Sequence, residues 1–193
     1  VARIGKTRYR DPMSIPSAPE PSAPAAPAPH RPRILVDADA CPVKDEIYRV
    51  AARHGVPVVV VAAGFIRVPQ DPLITRVAAG AGMDAADDWI AGAAGPGDVV
   101  VTADVPLAAR CVKAGAAVLA PTGKAFTEAD IGMALAVRDL MTDLRAAGEV
   151  TGGPRPFGPR DRSAFLQALE QAVRRAARAV AAGRTGPDSR AEG

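Results

Sequence analysis

The chain has little of what builds metal centres of the sulfur and imidazole kind, disulfide frameworks or aromatic cores. Its two cysteines are Cys41 and Cys111, and its two histidines are His30 and His54. A structural zinc site takes about four such ligands, so neither a Cys/His centre nor a disulfide scaffold is expected. Aromatic residues make up 4% of the chain against 48% hydrophobic overall, so the core has to come from Val, Ile, Leu and Ala. No apolar stretch approaches the roughly 20 residues that span a bilayer. The opening VARIGKTRYR has no apolar run behind it, so no secretory signal is expected, and a reducing cytoplasm without membrane association is the default.

Charge is unevenly spread. The net value is +3. Residues 1–33 carry six basic and two acidic side chains, and 174–193 carry five and two, while 34–173 hold 13 basic against 17 acidic. The body is thus acidic by four (17 minus 13), and the basic total is not a nucleic-acid-binding surface on the folded part.

Residues 11–33 are dense in Pro, Ala and Ser, and cannot bury enough surface to offset their ordering entropy. This makes 1–33 a disordered extension, 34–183 one α/β domain and 184–193 a flexible tail. Within the domain, strand and helix signals alternate. Ile34, Leu35 and Val36 form a short buried strand; Pro42 suits a first helical turn, and Val43, Ile47, Val50 and Ala51 continue at helical spacing to Gly55. VPVVVVA at 56–62 is apolar throughout, as in a parallel sheet covered on both faces. LITRVAA (73–79), DVVVT (98–102) and AAVLA (116–120) read as further strands, and 84–94 and 106–115 as helices. Repetition of strand then helix implies a parallel sheet with right-handed crossovers. Two longer helices close the chain. The first starts at Thr127, with Asp130 completing a loose capping box, and stops at Gly148; the second starts near Asp161.

The acids fall on this map in one place. Asp37 and Asp39 follow the first strand, Asp84, Asp87 and Asp88 open the helix after 73–79, and Asp104 follows DVVVT in the triplet Thr102-Ala103-Asp104. Parallel strands end at one edge, so these carboxylates can converge there. Carboxylates crowded together either protonate at raised pKa or are held by a cation, and oxygen ligands suit Mg²⁺ or Mn²⁺. Against this, Asp84, Asp87 and Asp104 each stand where a helix cap would. Two acids before Pro42 are one more than a cap requires.

DADACPVK, DAADDWI, TADVPLA, GGPRPF and the DR before the last helix, in that order, resemble the YaiI/YqxD family of bacterial proteins over about residues 33–173. The resemblance implies a three-layer PIN-like α/β domain with a central, mostly parallel sheet and two additional C-terminal helices. PIN-like domains carry an acid after the first strand, matched by Asp37, and a later one in a [Ser/Thr]-x-Asp triplet, matched by Thr102 and Asp104. Asp87 or Asp88 stands for a middle acid. The glutamate usual in PIN nucleases has no clear counterpart, since Glu46 lies on a different helix.

The expected activity is that of a metal-dependent phosphodiesterase acting on RNA. In it Asp37, Asp39, Asp87, Asp88 and Asp104 are the candidate ligands of Mg²⁺ or Mn²⁺, and Thr102 orients an acid. The ion activates water for attack on phosphorus. Lys44, Arg155, Arg160 and Arg162 are candidate phosphate contacts; the alternative for the arginines is a packed connector anchored by Phe157, with the guanidinium groups paired to acids. Cys41 is structural, since neighbouring aspartates raise a thiol's pKa, and Cys111 is core. Two other readings stand beside this one. One is a haloacid-dehalogenase-like phosphohydrolase with Asp37 as nucleophile, Asp39 as acid and Lys113 or Lys124 as the late lysine. The other is a non-catalytic domain that binds nucleic acid or protein. Substrate and oligomeric state are not legible at this level.

Overall fold

The computed structural model describes residues 31–39, 41–80, 82, 84–148 and 156–184. The candidate phosphate contact Arg155, residues 1–30 of the proline-rich extension and the tail from 185 lie outside them. In chain order the elements are β1 (Ile34–Asp37), α1 (Lys44–His54), β2 (Val58–Ala62), β3 (Ile74–Ala78), α2 (Ala85–Ala93), β4 (Val99–Val101), α3 (Val105–Lys113), β5 (Ala117–Leu119), β6 (Ala125–Phe126), α4 (Glu128–Ala146) and α5 (Pro159–Arg184).

The strands form one sheet in the order β3-β2-β1-β4-β5-β6. All neighbours pair parallel except β5 and β6, which are antiparallel. The two-residue β6 carries too little pattern to be read from sequence, and it is the departure from a wholly parallel sheet. β-Branched residues alternate between the faces as the pleat requires. Ile34, Val36, Val58, Val60, Val99 and Val101 meet α1 and α5 through Ile47, Val50, Phe165, Leu169 and Val173. On the other face, Leu35, Val61, Val100 and Val118 meet α2 and α3 through Ile90, Leu107, Ala108 and Cys111. The domain is therefore a mixed α/β sandwich of three layers. Phe165 is wholly buried and is the largest such side chain, and burial of that size is worth about 1.5–3 kcal/mol.

Local chemistry sets the helix ends. α1 has Asp45 and Glu46 in its first turn, Arg53 and His54 in its last, and Gly55 as a left-handed cap at φ 62°. Thr127 caps α4 by accepting the Asp130 N–H at 3.2 Å, as its sequence position predicts. The last helix starts two residues before Asp161, at Pro159, and the buried Asp161 carboxylate accepts the Gly158 N–H at 2.8 Å. Gly123, in the β5–β6 turn at φ +87°, sits against the α5 backbone; a Cβ there would lie 2.7 Å from the Ala164 carbonyl carbon. α5 is tied to α1 by Glu170, whose Oε1 meets His54 Nε2 at 3.0 Å and Arg53 at 3.3 Å.

The strand order positions the site. From β1 the chain steps outward to β2 and β3, then returns through α2 to β4 on β1's other side and steps outward again to β5. The gap between the carboxyl ends of β1 and β4 is the point where the winding reverses, the place where open α/β sheets bind ligands.

Candidate active site at the strand ends

Asp37 ends β1 at this reversal point and is 9% exposed. Thr102, the residue after β4, is buried, and its hydroxyl donates to Asp37 Oδ2 at 2.8 Å across 65 residues of sequence. Thr102 Oγ1 in turn accepts the Asp104 N–H at 2.9 Å. Thr102 thus spends its hydroxyl orienting one carboxylate and its lone pair fixing the backbone that carries the other. Asp104 then caps α3, with Oδ1 accepting from Leu107 N–H at 2.7 Å; Oδ2 has no hydrogen-bond partner among the described residues.

Burial pushes the Asp37 carboxyl above its ordinary value, and the charges of Asp39 and Asp104 push it further. The Thr102 hydroxyl and the Asp39 amide act the other way. Asp87, half-buried in the first turn of α2, is also raised, by burial first and then by the charges of Asp104, Asp37 and Asp84, with Arg110 opposing. Three carboxylates from three elements therefore share one electrostatic environment. No basic side chain pairs with Asp37 among the described residues.

The other candidates divide. Asp39 is exposed in the turn after β1, close enough to act on Asp37. Asp88 points elsewhere, paired with Arg110 at 2.7 Å. Asp84 stands at the α2 N-cap without making the capping hydrogen bond, and Asp87 lies inside the helix, so capping accounts for Asp104 alone of the three. Lys44 Nζ donates to the Ala38 carbonyl at 3.3 Å, one residue past Asp37. Arg162 reaches the Pro42 carbonyl at 2.9 Å and both Glu46 oxygens at 3.2 Å, with its guanidinium over Phe157 at 5.3 Å. This is the packed-connector arrangement, and it turns Glu46 into a buried structural partner. Arg160 is exposed in the first turn of α5. Lys113 closes α3 at the end away from Asp104, about 13 Å along a nine-residue helix, which places it far from Asp37's edge. Lys124 lies beside α4. Cys41 is buried with its thiol pushed up, by burial before any charge, and Cys111 is pushed up to about 11 within the core.

The donor chemistry, carboxylate oxygens whose charges act on one another, is of the kind that suits a hard cation. Among the described residues, no three Asp, Glu, His or Cys side chains are arranged around one ion position. Mg²⁺ does not require that many, since it keeps several waters and is commonly held by one or two carboxylates.

A mixed α/β domain with carboxylates grouped at its reversal point is the class this geometry defines. Residues 35–175 match the family described as "Uncharacterized BCR, YaiI/YqxD family", and the chain belongs to that family. It is 79% identical over 143 residues to a UPF0178 protein of Bradyrhizobium diazoefficiens, covering 74% of this chain and 86% of that one. A Rhodopseudomonas palustris UPF0178 protein is 78% identical over 143 residues, 74% of this chain and 92% of its own. One from Nitrobacter winogradskyi is 75% identical over 150 residues, 78% and 96%. No solved structure matches the chain. No described helix is long and apolar enough to cross a membrane.

Proposed function

We propose that the chain is a divalent-metal-dependent phosphodiesterase of PIN-like architecture, a hydrolase acting on RNA. The observation that carries this reading is the electrostatic coupling of Asp37, Asp87 and Asp104 at the reversal point, with Asp37 buried and paired to no basic group among the described residues. A fold gains nothing in stability from a buried carboxylate repelled by two others, so the arrangement calls for a positive ligand. Asp37 and Asp104, with Asp39 and Asp87 beside them, would hold Mg²⁺ or Mn²⁺. When bound, the ion supplies Lewis-acid charge to a phosphodiester. Thr102 keeps the Asp37 carboxylate aimed, and Lys44 and Arg160 are the described cations available to a phosphate backbone. The order β3-β2-β1-β4-β5 with acids after β1 and β4 supports the PIN-like assignment.

One observation favours a second reading, a non-catalytic binding domain: Asp104 does serve as a helix cap. The two are separated by calorimetric titration of the full chain with Mn²⁺, beside an Asp37→Asn/Asp104→Asn variant, followed by cleavage of a labelled single-stranded RNA. Binding lost in the variant together with Mn²⁺-dependent cleavage supports the phosphodiesterase. Binding without cleavage leaves a metal-binding domain, and absence of binding sinks the proposal.

A further inference from the structure

α4 is a 19-residue helix with no buried residue, whereas α1, α2, α3 and α5 each bury two or more. Its inward side rests on α3, with Ile131 against the core. Its outward side carries three of the four most exposed large apolar side chains among the described residues, Met133 at 70%, Val137 at 51% and Leu140 at 57%. With Leu144 they recur at intervals of four, three and four residues, the seam of a coiled-coil helix, and Ala136 and Met141 flank them. Beside the seam runs an apolar groove of about 480 Å³, reaching Val105 and Phe126. A helix apolar on two sides is normally covered on both.

We propose that α4 is the surface through which two copies of this chain associate, helix against helix and antiparallel. Charge chooses the occupant and its direction. Glu128 and Asp130 occupy the first turn of α4 and Arg145 the last. A two-fold axis between Val137 and Leu140 sets Val137 against the second copy's Leu140, and Met133 against its Leu144. It also brings Arg145 within a turn of the second copy's Asp130. A parallel pair would set acids against acids and align the two helix dipoles, whereas the antiparallel pair opposes them. Such a self-complementary patch is what an isologous dimer requires. This inference is independent of the metal reading.

The test is the mass of the full chain by light scattering and sedimentation. The expected value is twice the 19.8 kDa of one chain. Val137→Asp/Leu140→Asp should give a monomer with an unchanged circular-dichroism spectrum, because both side chains already face solvent; Val137→Ser/Leu140→Ser serves if the aspartates disturb folding. Arg145→Glu should weaken association by about tenfold, and adding Asp130→Lys should recover it. A monomeric full chain at every soluble concentration overturns the proposal and leaves the face to another partner. A dimer that survives the seam variants overturns α4 as the interface, and indifference to Arg145→Glu overturns the antiparallel arrangement.

Discussion

Two buried aspartates at opposite ends of the same pair of strands receive opposite treatment. Asp98, just before β4, is 0% exposed and held by Arg33, just before β1, with Nε to Oδ1 at 3.1 Å; the Gly95 N–H also donates to Oδ2 at 3.1 Å. Arg33 is itself fixed by the Ala93 carbonyl at 2.6 Å. Asp37, at the far end of β1, is nearly as buried, yet its partners are a hydroxyl and an amide, and the charges that act on it are those of two further acids. At the amino end of the sheet the charge is offset within the fold, and the pair joins β1 to β4. At the carboxyl end it is left standing. A cation bound at the carboxyl end, as proposed above, would account for this contrast.

The comparison can be broken most strongly at its compensated end. Arg33→Ala removes a guanidinium from the buried Asp98 carboxylate, and should cost about 3–5 kcal/mol in urea unfolding. At the other end, Thr102→Val keeps the shape but removes Asp37's donor, for an expected loss of about 1–3 kcal/mol. It should also raise the Asp37 pKa further in a carboxyl NMR titration. Asp37→Asn should act in the opposite sense to Arg33→Ala. Because folding raises the Asp37 pKa above 3.8, its favourable contribution is complete below that value and disappears as pH climbs through the folded pKa. In metal-free buffer the Asn variant should therefore unfold at a higher temperature than the parent at neutral pH, and lose that advantage below pH 3.8. A gain on Asp37→Asn at neutral pH would show the charged carboxylate disfavoured there by burial and then by its acidic neighbours; a loss would show Asp37 compensated like Asp98. The smallest effect is expected at Asp88→Ala, which removes an exposed ion pair with Arg110 and should change stability by less than about 1 kcal/mol.

Much of the fold was legible because its signals are local. The run VVVVA, with turn residues on either side, reads as a doubly covered strand, and the structure places it as β2 with cores on both faces. Thr127 with Asp130 announces the start of α4. The antiparallel β6 was missed because two residues, Ala125 and Phe126, carry no periodicity. In the site, Asp37, Thr102 and Asp104 were readable as strand-end residues, and they do meet. The pairing of Asp88 with Arg110 and of Arg162 with Glu46 could not be read locally, because each partner belongs to another helix. Glu46 itself was passed over for lack of any local signal that it would be buried.

The sequence by itself determined which residues become strands and helices and that several carboxylates leave the sheet at one edge, since hydrophobic periodicity and turn chemistry act over a few residues. It also set the apolar seam on α4. The tertiary structure alone decided which acids are offset, which cap a helix and which remain in repulsion. Those outcomes rest on distances of a few Å between elements, and Coulomb and desolvation energies respond to such distances rather than to separation along the chain.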